Sequence, residues 1–241
     1  MLKYKTSYFY RLASPKVSYV LADRLLPWIA SVAGILLLYG VIAGLFFAPV
    51  DYQQGDGFRM IYIHVPAAFL SLAIYSVIFI SSVIYLIWHI KLADFCAKSS
   101  AGIGATYTLI ALISGALWGK PMWGTWWIWD ARLTSELILL FLYCGYLGLR
   151  SAIRDRERSA KAAAILAIAG MIDVPIVHFS VEWWATLHQG ATLAKWARPS
   201  IDNDMLYPLL GMIAGFGFFY LTILCVRLRS DLLKREWQLK S

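Results

Sequence analysis

The 241-residue sequence predicts an all-α polytopic membrane protein, with six transmembrane helices, both termini cytoplasmic and a single membrane domain over 1–241. Three observations carry this reading. Hydrophobic residues make up 60% of the chain and charged ones only 15%, whereas a soluble domain runs nearer half and a quarter. The apolar residues gather into six long runs. The basic residues are unevenly shared between the two sides that those runs define.

A spanning helix needs roughly 20 apolar residues to cross a hydrocarbon core of about 30 Å. The first such run is 27–47, PWIASVAGILLLYGVIAGLFF. The others are 65–88, 101–118, 133–149, 162–181 and 208–226. Backbone groups in lipid must pair within their own segment, so these runs read as helices. A β-barrel would need alternating strands of about ten residues, a pattern they lack. Of the 22 Lys and Arg, 17 fall in the N-terminal tail, the 89–100 and 150–161 loops and the C-terminal tail. Arg59, Lys120, Arg132, Lys195 and Arg198 fall on the other side. Such an excess marks the cytoplasmic face. The net charge of +8 is therefore an orientation signal toward the lipid bilayer, and no nucleic acid is expected as a partner. Cys96, Cys144 and Cys225 form no C-x-x-C pair, which leaves dithiol chemistry without a footing. The first 24 residues lack the apolar core of a cleaved signal.

Chemistry is then expected on the outer face, in segments 48–64, 119–132 and 182–207. The Trp-rich segment 118–132 places Trp118, Trp123, Trp126, Trp127 and Trp129 within one short stretch, ending W-G-x-x-W-x-W-D at Asp130. One or two Trp would read as an interfacial belt. Five in so short a stretch suggest an apolar platform for a large planar ligand, with few torsions to freeze on binding. Gly124 lets the backbone turn there. Four histidines are present. His89 reads as interfacial, and His178 as a buried group hydrogen-bonded between helices. His64 and His188 flank the Trp segment from two separate stretches. Each alone would pass for a solvated loop residue. As a pair they suit the two axial positions of a haem iron, because neutral imidazole is a good iron ligand. The group implied is a non-covalent haem b. Arg59 and Arg132 lie near the same boundary, either on lipid headgroups or on haem propionates, which Arg pairs by a bidentate fork. Lys120 and Lys195 are further candidates. Asp130 either anchors the Trp loop by accepting backbone N–H bonds or orients a ligand histidine. Asp173, inside an apolar run, should face a partner or water, with Pro175 loosening the helix around it.

Three stretches carry a likeness: 48–68 (APVDYQQGDGFRMIYIHVPAA), 118–140 (WGKPMWGTWWIWDARLTSELILL) and 174–190 (VPIVHFSVEWWATLHQG). Together they resemble the tryptophan-rich (WWD) haem-handling membrane proteins of cytochrome c maturation, above all their short six-helix branch, the haem exporter protein C family. The resemblance spans about 20–226. It implies an inner-membrane protein that holds haem at the periplasmic face and presents it to a periplasmic haem chaperone, maturation protein E, for covalent attachment. It further implies a complex with the ABC transporter subunits, maturation proteins A and B, and with the small membrane protein D. Carried over by motif, His64 and His188 match axial iron ligands. Trp118, Trp123, Trp126, Trp127 and Trp129 match the platform, and Arg59 and Arg132 match residues near the propionates. Asp173 departs from the pattern, which leads one to expect Asn.

No nucleophile or acid–base pair stands out, so no enzyme activity is expected of this chain by itself. Two other readings remain open. A membrane electron-transfer cytochrome b would bind haem within the bundle, where only His178 fits. A solute transporter subunit would want polar groups near the midplane, where only Asp173 and Pro175 qualify. Imidazole must be unprotonated to bind iron, so haem release is expected as pH falls well below about 6.5.

Overall fold

A computed structural model describes residues 14–190 and 201–240. Helix α1 runs Pro15–Ile42 and continues as a π-helical turn, Ala43–Phe47. A 3-10 helix at Asp56–Met60 leads into α2, Ile61–Trp88. Then follow α3 (Lys91–Trp123), α4 (Ala131–Ala152), α5 (Arg156–Gly170), α6 (Asp173–Trp183) and α7 (Asn203–Lys240). Six stretches are long and apolar enough to span a bilayer, with α5 and α6 forming one of them, Arg156–Trp183.

The helices overrun the apolar runs at their ends. α3 begins at Lys91 rather than near 101, and α7 reaches Lys240 rather than 226. Helix formation continues past the lipid boundary because polar flanks such as KLADFCAKSS still pack on their neighbours, with Ala97, Ser99 and Ser100 buried. The fifth span is interrupted at Met171–Ile172, ahead of the proline. Pro175 therefore sits in the first turn of α6 and removes no hydrogen bond there, since first-turn N–H groups lack intrahelical partners. Asp173 is buried at the start of that helix, and its Oδ2 has no hydrogen-bond partner.

Packing pairs α1 with α7, α2 with α3, and α4 with α3, α5 and α6. The α1–α7 seam depends on small residues. Gly211 and Gly215 form a G-x-x-x-G step on α7, and a Cβ there would meet Tyr39 at 2.8 Å and Leu37 at 2.9 Å. Close helix approach of this kind is how membrane helices gain contact when lipid is as apolar as their own side chains. At the far end Arg229 of α7 pairs with Asp23 of α1 at 2.7 Å. The centre is held by tyrosines whose hydroxyls donate to carbonyls of other helices. Tyr143 donates to the Ser71 carbonyl at 2.6 Å and Tyr107 to that of Phe216 at 2.9 Å.

This topology brings the start of α2, the end of α3, the start of α4 and the end of α6 to one end of the bundle. The two-residue link His89–Ile90 and the short Ile153–Asp155 link lie at the other.

Candidate functional site

His64 occupies the first turn of α2. Its Nδ1 lies 3.0 Å from the Ala111 carbonyl and 3.1 Å from Ser114 Oγ, both on α3. A carbonyl only accepts, and the Ser114 hydroxyl already donates to the Ile110 carbonyl at 2.6 Å. The imidazole proton therefore sits on Nδ1, and Nε2 keeps its lone pair. A Cβ on Gly115 would approach His64 Cε1 to 3.0 Å, so this glycine lets the ring lie close against α3.

His188 arrives from the segment beyond α6, its backbone N–H donating to Thr186 Oγ1 at 3.2 Å. Its ring centre stands 6.1 Å from that of His64, with 44° between the planes. Trp123 lies 5.1 Å from His188, and Trp118 stands edge-on to His64 at 5.7 Å. The Trp118 indole N–H donates to Gln54 Oε1 at 3.0 Å.

Two cavities meet at the histidine pair. The outer one, about 200 Å³, is lined by Gln54, Trp118, Met122, Trp123 and both histidines. The inner one, about 30 Å³, adds Arg132 and Glu136. Arg132 stands at the start of α4, whose N-cap is Asp130, with Oδ1 accepting the Leu133 N–H at 2.8 Å. Asp130 thus caps α4, and the N–H that it accepts belongs to that helix rather than to the Trp segment. Its Oδ2 is buried without a partner. The Arg132 guanidinium donates to the Val177 carbonyl on α6 at 2.6 Å, which ties α4 to α6 beside the cavity.

Several expected residues are elsewhere. Arg59 lines neither histidine cavity. Its guanidinium bonds Asp56 at 3.0 Å and the carbonyls of Gly44 and Ala48 at 2.8 and 3.1 Å, where it clamps the 3-10 helix to the π-turn. The five Trp rings do not form one platform. α3 continues to Trp123, Gly124 reverses the chain with φ +77°, and only Trp118 and Trp123 stand beside the histidines. Trp126 and Trp129 are exposed, and Trp127 meets Trp129 edge-on at 77°. Lys120 donates to the Gly124 carbonyl at 3.0 Å and lies over the Trp126 ring. His178 is exposed on α6 against the edge of Phe179, not buried between helices. Lys195 and Arg198 lie outside the described residues.

The sequence reading missed Gln54, Met122 and above all Glu136. The signal for Glu136 was present: an ionisable residue inside the apolar run 133–149 is costly in lipid and marks a site.

Burial, and after it the Arg132 guanidinium, lower the His188 pKa from its ordinary 6.5 to about 4. Both disfavour the imidazolium. The neutral ring's contribution to stability is thus complete above about 6.5 and is lost as pH falls toward about 4. This moves the acid limit of the site below the range expected from an unperturbed histidine. Histidine NMR on ligand-free protein in nanodiscs should give His188 a midpoint near 4; a midpoint near 6.5 would show an exposed ring.

The site therefore offers two neutral imidazoles facing one another within an aromatic wall. Among the described residues no group of three or more His, Cys, Asp or Glu converges on a metal position. Two opposed donors cannot close the tetrahedral shell of a bare ion, but they suit a metal that brings its own ring of equatorial ligands.

A family model described as heme exporter protein C matches residues 8–241. A heme exporter protein C of Haemophilus influenzae is 50% identical over 224 residues, covering 93% of this chain and 91% of that protein. Its namesake in Escherichia coli K12 is 47% identical over 227 residues, covering 94% and 91%. A heme exporter protein C of Bradyrhizobium diazoefficiens is 45% identical over 225 residues, covering 93% and 85%.

Proposed function

The chain belongs to the haem exporter protein C family, and from this premise we propose that it binds haem b non-covalently between His64 and His188 and presents it at the periplasmic face. It is a multi-pass inner-membrane component of haem delivery for cytochrome c biogenesis. The observation that carries the binding mode is the 6.1 Å between the two ring centres. An imidazole nitrogen bonds a metal at about 2.0–2.1 Å and sits about 1.1 Å from its own ring centre, so two imidazoles holding one ion between them would have ring centres about 6 Å apart. The α3 partners hold His64 through Nδ1, which leaves its unprotonated Nε2 available as a donor to a metal. Haem supplies the iron that the imidazoles ligate and the vinyl edge that a second protein takes up.

The chain's own residues do the holding. Trp118 and Trp123 line the outer cavity beside the ring positions, and Arg132 is the cation beside the pair. The positive-inside excess supports a periplasmic histidine end, and on this reading the acceptor is a periplasmic haem chaperone, maturation protein E. The membrane partners are the ABC transporter subunits A and B and the small protein D. The whole chain 1–241 acts as one membrane domain, and its task is delivery rather than turnover. A cytochrome b with ligands at bilayer depth is disfavoured because His178 faces outward from α6.

The test is the optical and EPR spectrum of the purified full-length protein loaded with haem. A six-coordinate low-spin spectrum is expected. Trp123→Ala should weaken haem binding about tenfold, since a lost aromatic contact is worth about 0.5–1.5 kcal/mol beyond its buried area. Trp129→Ala, on an exposed ring, should change it less than about threefold by the same arithmetic. High-spin haem in the unaltered protein, or equal losses from both substitutions, would count against this site.

A further inference from the structure

Glu136 is a buried carboxylate, 6% exposed, one turn beyond Arg132 on α4. Ser71 Oγ on α2 donates to its Oε1 at 2.9 Å. Ser71 is itself held, its carbonyl accepting the Tyr143 hydroxyl at 2.6 Å. Glu136 Oε2 has no hydrogen-bond partner. Arg132 does not supply one: its guanidinium donates to the Val177 carbonyl, and among the described residues no ion pair joins it to Glu136. A buried carboxylate oxygen without a partner is costly, and such an atom calls for an explanation.

A second orphan lies on the same cavity. His188 Nδ1 is buried without a partner, and His188 and Glu136 both line the inner cavity of about 30 Å³. A cavity needs about 10–15 Å³ of such volume and polar partners to hold a water; this one is lined mainly by apolar groups but has room for about two beside Arg132, Glu136 and the histidines. Its walls thus carry two polar atoms without partners, Glu136 Oε2 and His188 Nδ1, the latter a donor or an acceptor according to the tautomer. His64 has its tautomer fixed by Ala111 and Ser114, whereas nothing else described fixes that of His188.

We propose that Glu136 is a positioning residue for the haem site. Through ordered water in the inner cavity its Oε2 accepts from the His188 Nδ1–H, which leaves Nε2 of His188 unprotonated toward the iron. This rests on the haem reading above. It makes the two ligands chemically unequal. His64 leans on a carbonyl and a hydroxyl, whereas His188 leans on a carboxyl group. A carboxylate behind a ligating imidazole raises its basicity and fixes its orientation, so His188 becomes the stronger donor to ferric iron.

The experiment compares the full chain with Glu136→Gln and Glu136→Asp. First, ¹⁵N NMR of histidine-labelled, haem-free protein reads the tautomers directly. The unaltered chain and Glu136→Asp should show His188 protonated at Nδ1. Glu136→Gln should show a mixture of tautomers for His188 and unchanged His64 signals, which also reports an intact fold. Second, Glu136→Gln should weaken ferric haem binding by about 10–100-fold. It should also raise the midpoint potential by about 59 mV for each tenfold by which the ferric loss exceeds the ferrous loss. Both effects should vanish in a His188→Ala background and persist in a His64→Ala background, because coupling is confined to residues that share the interaction. An unchanged His188 tautomer in Glu136→Gln, or equal effects in the two backgrounds, overturns the positioning role while leaving haem binding intact. A tautomer shift in a protein that holds no bis-histidine haem overturns the haem reading instead.

Discussion

His64→Ala is expected to abolish the low-spin spectrum and weaken haem binding by more than about 100-fold, since removing only an outer hydrogen-bond partner of a ligating histidine costs about 10–100-fold. His188→Ala should do the same to the spectrum, but the two variants should differ on rescue. Both histidines line the outer cavity of about 200 Å³, but the His188 Nδ1 has no protein partner that an incoming ring would have to regain. Added imidazole should therefore enter the space left by His188→Ala and restore six-coordination. The His64 side is backed by α3 at Ala111, Ser114 and Gly115, and a free imidazole there must recover two hydrogen bonds in a narrow slot. Rescue should accordingly be weaker for His64→Ala. Titration of each haem-loaded variant with imidazole, followed at the Soret band, measures the difference. A low-spin spectrum that survives both substitutions would mean that other groups ligate the iron.

Hydropathy made the six spans legible, because length and apolarity are set by the bilayer rather than by tertiary detail. It could not show where each helix stops, since α3 and α7 run on through polar flanks that pack against neighbours. The two histidines were legible as a pair, and their segments do meet. The tryptophans were read too uniformly. Five rings in a short stretch look alike in sequence, yet the helix end at Trp123 and the turn at Gly124 place two beside the histidines and send two outward. Arg59 and Arg132 were likewise equivalent in sequence. Only the fold shows that the first is consumed by carbonyls of the π-turn and that the second borders the inner cavity. Glu136 escaped notice because hydropathy averages a single carboxylate away inside SELILLFLY. Its significance comes from Ser71, a residue 65 positions away.

The largest stability loss is expected from Gly104→Val, and its sign is set by two opposed terms. Helix propensity favours replacing an interior glycine, by about 1 kcal/mol for alanine. Against this, a Cβ at Gly104 would run into the Tyr143 ring of α4. That ring cannot yield. Tyr143 is fully buried, its hydroxyl is bonded to the Ser71 carbonyl, and Tyr75 packs edge-on at 5.2 Å. Overpacking of this kind costs about 1–3 kcal/mol, so the clash wins, and valine's second methyl and poorer helix propensity deepen it. Gly148 on α4 supplies the internal control, since nothing lies within 4 Å of a Cβ there. Gly148→Ala should be neutral or stabilising. Unfolding in detergent, followed by circular dichroism, should therefore separate the two glycines by sign. The consequence reaches the site as well, because displacing Tyr143 disturbs Ser71 and, through it, Glu136 at the cavity floor. Gly104→Val should weaken haem binding even where the chain still folds, and the double variant Gly104→Val with Tyr143→Leu should recover stability without recovering full affinity. Equal stability of Gly104→Val and the unaltered chain would mean that α3 and α4 do not pack at the distance described.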